Sequence, residues 1–158
     1  MCIRDRDETI LDAEGKNRHF SFSSGNVNAL LDTTFKIMDM TLKNGEVTNV
    51  RGGLIVSETQ NNLGHSILIQ NVKFESNRSL ASNENQYDVG GGAIYVINGA
   101  PYLRDVIFTG NYSQWRGGAV QLNNDTTGTA VFERAVFHKN YVTVDFSQRS
   151  LDLSLIHI

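Results

Sequence analysis

The chain has 158 residues, 40% of them hydrophobic and 20% charged, with a formal net charge of −3. No Lys/Arg-rich run or basic stripe is present, which argues against a nucleic-acid binder. No apolar run approaches the ~18–20 residues a helical membrane span needs, so no membrane contact is expected within these residues. The single cysteine, Cys2, precludes an internal disulfide. Fourteen glycines against one proline, with many asparagines beside the glycines, suit tight turns at positive φ better than helices.

The two ends read differently from the rest. Met1 to Arg6 (MCIRDR) and Leu153 to Ile158 (LSLIHI) resemble translated sequencing-adapter DNA. Residues 1–6 and 153–158 are therefore set aside, as construction scars are, and residues 7–152 are read as one repeat fragment incomplete at both ends.

Between these ends one template recurs. It appears as DMTLKNG at Asp39–Gly45, NVKFESN at Asn71–Asn77, DVIFTGN at Asp105–Asn111 and RAVFHKN at Arg134–Asn140. The anchors Leu42, Phe74, Phe108 and Phe137 lie 32, 34 and 29 residues apart. Before each anchor stand four apolar positions: Phe35, Ile37, Met40, Leu42; then Ile67, Ile69, Val72, Phe74; then Pro101, Leu103, Val106, Phe108; then Ala130, Phe132, Ala135, Phe137. Each half of the pattern has period 2, the signature of a strand, and one extra residue breaks the alternation midway. A strand, a sharp bend and a second strand are expected. RGGLIV (Arg51–Val56), GGGAIYV (Gly90–Val96) and RGGAVQL (Arg116–Leu122) supply a third strand per repeat. Ser79–Val89 and Asn123–Thr127 are expected as corner loops, and Tyr112 to Trp115 as a short corner.

Three short strands per ~30 residues predict an all-β, right-handed parallel β-helix of about four to five coils. Equal positions in successive coils then stack. Phe74, Phe108 and Phe137 are expected as one buried column, and Asn77, Asn111 and Asn140 as one amide row. The period-2 pattern excludes an α-solenoid, and the spacing is too short for propeller blades.

Gly-Gly-Ala-Ile at Gly91–Ile94, with FESN, FTGN and FHKN at the three phenylalanines, resembles the polymorphic outer membrane protein repeat. GGAV at Gly117–Val120 departs by one conservative change, and GGLIV at Gly52–Val56 departs further. TILDAEG (Thr9–Gly15) and Phe20–Phe22 look like an earlier coil of the wider pectin-lyase-like superfamily. The resemblance implies a cell-surface or secreted protein, in the outer membrane if bacterial, acting as an adhesin or autotransporter passenger without enzymatic activity. Two alternatives stand beside it: a fragment of a polysaccharide lyase or glycoside hydrolase, or a purely structural stalk.

No catalytic residues are assigned, because no pair of carboxylates recurs at one position of the register and glycoside hydrolysis needs two. The column Asp39, Asn71, Asp105, Arg134 is read as a solvated edge with a loose Asp105–Arg134 pair. His19, His65 and His138 show no metal-ligand spacing, and no cofactor is expected. Of the three Asn-x-Ser/Thr triplets, at Asn77, Asn111 and Asn124, only Asn124 lies where a glycan could attach. Binding, if any, is assigned to exposed aromatics, Tyr112 and Trp115 with Tyr87 on the Ser79–Val89 insertion, with a host or surface glycan or protein as partner.

Overall fold

The computed structural model describes residues 9–24, 35–52, 55–59, 66–81, 89–97, 100–123, 130–143 and 156–157. Among these residues it is all-β and contains no helix. The strands fall into five successive groups. The first holds β1 (Ile10–Asp12) and β2 (Phe22–Ser24). The second holds β3 (Phe35–Lys43), β4 (Glu46–Thr48) and β5 (Ile55–Thr59). The third holds β6 (Ser66–Glu75), β7 (Arg78–Leu80) and β8 (Ile94–Ile97). The fourth holds β9 (Ala100–Arg104), β10 (Ile107–Thr109), β11 (Tyr112–Ser113) and β12 (Val120–Asn123). The fifth holds β13 (Val131–Glu133), β14 (Val136–His138), β15 (Tyr141–Val142) and β16 (Ile156–His157).

Each strand pairs with its equivalent in the next group, and every pairing is parallel. Three sheets result. One has the order β1-β3-β6-β10-β14, with β9 beside β6 and β13 beside β9; the others are β4-β7-β11-β15 and β2-β5-β8-β12-β16. Between two neighbours of the first sheet, such as β6 and β10, the chain passes through β7 and β8 of the other two. Strands of the other sheets thus do the work that crossover helices do in most parallel sheets.

Two details differ from the sequence expectation. The segment after each anchor is a strand and not a corner: β4, β7, β11 and β15 form the second sheet. Tyr112 and Ser113 are therefore strand residues, and so are Ser79 and Leu80, which begin the stretch expected as a loop. These strands span only two or three residues, too few for an alternation to show in sequence. The other difference concerns the extra residue of the template. It is Asp39 (φ 55°), Asn71 (φ 52°), Asp105 (φ 53°) or Arg134 (φ 52°). In β3 and β6 the strand runs through this left-handed residue unbroken, and only in the fourth and fifth groups does it divide. Asp and Asn tolerate the left-handed region because a short polar side chain bonds locally.

Register explains the core. Leu42 pairs with Phe74, Phe74 with Phe108, and Phe108 with Phe137. Leu42, Phe74 and Phe108 are fully buried, and Phe137 packs against the same cluster. The Phe74 and Phe108 rings stack at 4.8 Å and 8°, and those of Phe108 and Phe137 at 4.8 Å and 11°. That distance is the spacing of neighbouring strands, so the backbone dictates the ring separation. Ile37, Ile69 and Leu103 share one register row, and they belong to the same core cluster as Ile94 and Val120 of the third sheet and the preceding Ala93 and Ala119.

Beside the rings runs an amide ladder. Asn111 Oδ1 accepts the backbone N–H of Asn77 and its Nδ2, both at 3.0 Å. Asn111 Nδ2 donates to Phe74 O at 3.0 Å and to Asn140 Oδ1 at 2.9 Å. Two donors and two acceptor lone pairs are thereby all engaged, the full capacity of a carboxamide. Asn77 and Asn140 repeat the arrangement, donating to Leu42 O at 3.1 Å and Phe108 O at 2.9 Å. In the second group Gly45 takes the position, and its N–H donates to Asn77 Oδ1 at 2.8 Å.

The glycine pairs answer to two different constraints. Gly117 has φ +54°, and a Cβ there would lie 2.2 Å from Val120 O. Gly118 meets the next group: its Cβ would lie 2.6 Å from Tyr141 O. The first glycine makes the turn and the second lets neighbouring groups approach.

Phe108→Ala removes the fully buried middle ring of the stack and is expected to destabilise the chain by about 3–5 kcal/mol in urea unfolding. Phe137→Ala, at a half-buried position, should cost clearly less in the same assay.

Candidate functional site

The aromatic segment lies on the second sheet. Alternation in β11 buries Ser113 fully and turns Tyr112 outward. Tyr112 is in register with Arg78 on one side and Tyr141 on the other. The Tyr112 and Tyr141 rings stand 4.9 Å apart at 34°, and Tyr141 is half exposed. The Tyr112 hydroxyl hydrogen-bonds Thr143 Oγ1 at 2.5 Å. Arg78 completes the outward row with Glu46, their charges 3.8 Å apart. Tyr112 therefore has one face covered by a neighbour and presents an edge and a hydroxyl.

Beyond β11 the chain is pinned to the group before it. Gln114 N–H donates to Ser79 O at 2.9 Å, and Gln114 Oε1 accepts the Ala81 N–H at 2.8 Å. The backbone N–H of Trp115 donates to Ser113 Oγ at 3.3 Å. Trp115, for which the sequence left an exposed ring and packing across a neighbouring corner both open, is half-buried. Tyr87 lies outside the described residues, as does Asn124. Sequence reasoning passed over Tyr141, Thr143 and Arg78. A signal existed: the residue after each ladder asparagine is Arg78, Tyr112 or Tyr141, one outward column.

The charged bend forms a second surface. Asn71 Nδ2 donates to Asp39 Oδ1 at 2.9 Å. Arg134 grips Asp105 with two bonds, Nε to Oδ1 at 2.5 Å and Nη2 to Oδ2 at 2.8 Å, so the pair expected to be loose is bidentate. Arg134 also bonds Glu133, and Tyr102 Oη donates to Glu133 Oε2 at 2.5 Å. Arg104 lies 3.5 Å from Asp105 and 3.7 Å from Glu133. The Tyr102 hydroxyl, with help from Arg134, holds the Glu133 carboxyl below its ordinary range. The same bond raises the Tyr102 hydroxyl. Both carboxylates of the cluster face guanidinium groups. This arrangement suits an edge clasp between groups four and five better than proton transfer, which needs a carboxyl poised near the working pH.

At the opposite edge Asp12 is pulled down to about 2, first by the Asn44 amide, then by the Glu14 N–H and Lys43. The contacts are 3.0, 2.9 and 3.2 Å. Burial of the His19 ring lowers its pKa, although its Nε2 lies 2.6 Å from Leu11 O. A carboxylate depressed in the folded state stabilises it above the ordinary carboxylate range, and that contribution fades as pH falls towards 2. A carboxyl-carbon NMR titration should give Asp12 a midpoint of about 2. Asn44→Ala should raise it towards the ordinary aspartate value of 3.8, because the largest cause is removed.

Among the described residues no group of three or more His, Cys, Asp or Glu side chains could hold a metal ion, and no helix is long and apolar enough to cross a membrane. No curated protein and no solved structure matches the chain. Residues 105–123, which run from the bend at Asp105 through Phe108, Asn111, Tyr112 and Trp115 into β12, match the family model of the Chlamydia polymorphic membrane protein repeat.

Proposed function

We propose that this chain is a segment of a surface-displayed, right-handed parallel β-helix that serves as an adhesin-like or autotransporter-passenger-like body without enzymatic activity of its own. The observation that carries the reading is the match of residues 105–123 to the polymorphic membrane protein repeat. It covers one full set of structural positions: bend, ring, amide and glycine pair. The parallel pairing of all three sheets supports the helical winding. Right-handedness follows from the strong preference of parallel connections within one sheet for that hand. The membrane-protein family of the repeat supports a location at the cell surface, in the outer membrane if the source is bacterial.

A packed interior leaves only outer faces for recognition. Contact with a host or surface glycan or protein then falls on the outward row Arg78, Tyr112, Tyr141 and on the neighbouring Trp115. Aromatic rings bury large area while losing little side-chain entropy, whereas exposed ion pairs contribute little. The charge cluster at Arg104, Asp105, Glu133 and Arg134 is neutralised within itself and serves the fold.

Binding of the purified chain to a glycan array and to host-cell surfaces tests this. Trp115→Ala and Tyr141→Ala are expected to lose at least tenfold in affinity for any ligand found, which corresponds to about 1.4 kcal/mol, with the circular dichroism spectrum unchanged. Equal binding by the native chain and both variants would remove this face from consideration. Turnover of an acidic polysaccharide by the chain would overturn the non-enzymatic reading.

A further inference from the structure

Gly45 is the exception in the ladder row. The row runs Gly45, Asn77, Asn111 and Asn140 through the second to fifth groups, and of these Gly45 alone carries no carboxamide. The residues just before them are Asn44, Ser76, Gly110 and Lys139. All stand in the left-handed region, at φ 56°, 56°, 63° and 52°. The second group is thus the place where a left-handed asparagine precedes a glycine.

Asn-Gly is a reactive pair. The peptide nitrogen after an asparagine can attack that asparagine's own carboxamide carbon, and glycine has no Cβ to obstruct the approach. The new bond joins Gly45 N to Asn44 Cγ, and the Cγ–Nδ2 bond breaks. The departing nitrogen takes up the proton of the Gly45 peptide N–H and leaves as ammonia. Water then opens the cyclic imide. Addition at Cγ gives aspartate at position 44. Addition at the backbone carbonyl carbon gives isoaspartate, with the main chain rerouted through Cγ. Water is the only co-reactant.

The folded chain holds every part of this reaction. Gly45 is buried, and its N–H donates to Asn77 Oδ1 at 2.8 Å. An N–H engaged there is shielded from the base that must remove its proton. The leaving amide is held too, because Asn44 Nδ2 donates to Asp12 Oδ1 at 3.0 Å. The Asn44 backbone is fixed on both sides: its N–H donates to Glu75 O at 3.1 Å, and its carbonyl accepts the Gly15 N–H at 2.8 Å. The Gly45 carbonyl accepts the Arg78 N–H at 2.7 Å. Glu75, Asn77 and Arg78 all belong to the third group, so the docking of that group on the second governs the attacking nitrogen.

We propose that Asn44–Gly45 is a self-modification site, closed while Asn77 holds the Gly45 N–H and converted to aspartate and isoaspartate when that contact opens. Re-docking does not restore the amide, so the conversion records that the second and third groups have separated. The product also changes the contact with the first group. An anionic oxygen replaces Asn44 Nδ2 and faces the Asp12 carboxylate, and the isoaspartate form lengthens the main chain just before Gly45.

The test incubates the chain in mildly alkaline buffer, folded or unfolded in guanidinium chloride, and then digests it with trypsin. Cleavage after Lys43 and Arg51 separates Asn44–Arg51 from the other Asn-Gly pair, Asn98–Gly99. Mass spectrometry reads the change from amide to acid. An isoaspartyl methyltransferase reads the isomer that direct hydrolysis does not form. The folded chain should convert Asn44 at least about tenfold more slowly than the unfolded chain, because the buried N–H must first open. Asn77→Ala, checked for folding by circular dichroism, should speed the folded-state conversion at least about threefold. Should that variant not fold, the native chain answers in guanidinium chloride below its transition, where Asn44 conversion should rise in step with hydrogen exchange of the Gly45 N–H. Asn44→Asp reproduces the acid product and should raise the Asp12 midpoint above about 2. Equal rates in the folded and unfolded chains overturn the proposal. So does a folded Asn77→Ala variant that converts no faster than the native chain, conversion that does not follow Gly45 exchange, or acid formed without isoaspartate. An Asp12 midpoint unmoved in Asn44→Asp overturns the effect assigned to the product.

Discussion

The structure depends on one constraint: a buried carboxamide must be hydrogen-bonded, and here the backbone and the carboxamide one strand spacing away share that task. Asn77, Asn111 and Asn140 are buried beside aromatic rings where water cannot serve. An amide left unpaired there would cost about 1–3 kcal/mol. Because the Oδ1 of Asn111 and of Asn140 takes both the backbone N–H and the side-chain N–H of the preceding member, the ladder fixes the vertical register of successive groups to a single choice. A slip of one residue would reverse the facing of every strand. The stacked rings at 4.8 Å cannot impose that choice alone, since apolar contact is not directional.

Once register is fixed, the rest follows as a sequence of local solutions repeated in each group. The left-handed residue at 39, 71, 105 or 134 turns the first sheet. Polar side chains fill these positions, and in adjacent groups they bond one another: Asn71 to Asp39, and Arg134 to Asp105. The second glycine of the pairs Gly91–Gly92 and Gly117–Gly118 admits the neighbouring backbone, Gly92 that of Tyr112 and Gly118 that of Tyr141. The outer faces are relieved of these demands, and that is where composition varies from group to group: Arg78, Tyr112 and Tyr141 share one position but not one chemistry.

By itself the sequence determined the repeat, its all-β character and the inner rows. Phe-x-x-Asn at constant offset marks Phe74, Phe108 and Phe137, and Asn77, Asn111 and Asn140, because side chains that stack on themselves must recur at one position. What it left hidden are the places where an insertion or a short element breaks the offset. Asn17 stands six residues after Leu11, where the template has three, so only the backbone bond from Glu46 aligns it with the position of Gly45 and Asn77. The strands of the second sheet span two or three residues, below the length at which alternation is readable, and parallel pairing with their neighbours is what makes them strands. The half-burial of Trp115 and the covering of one Tyr112 face by Tyr141 were likewise decided in three dimensions, for residues about thirty apart become neighbours only when one group settles on the next.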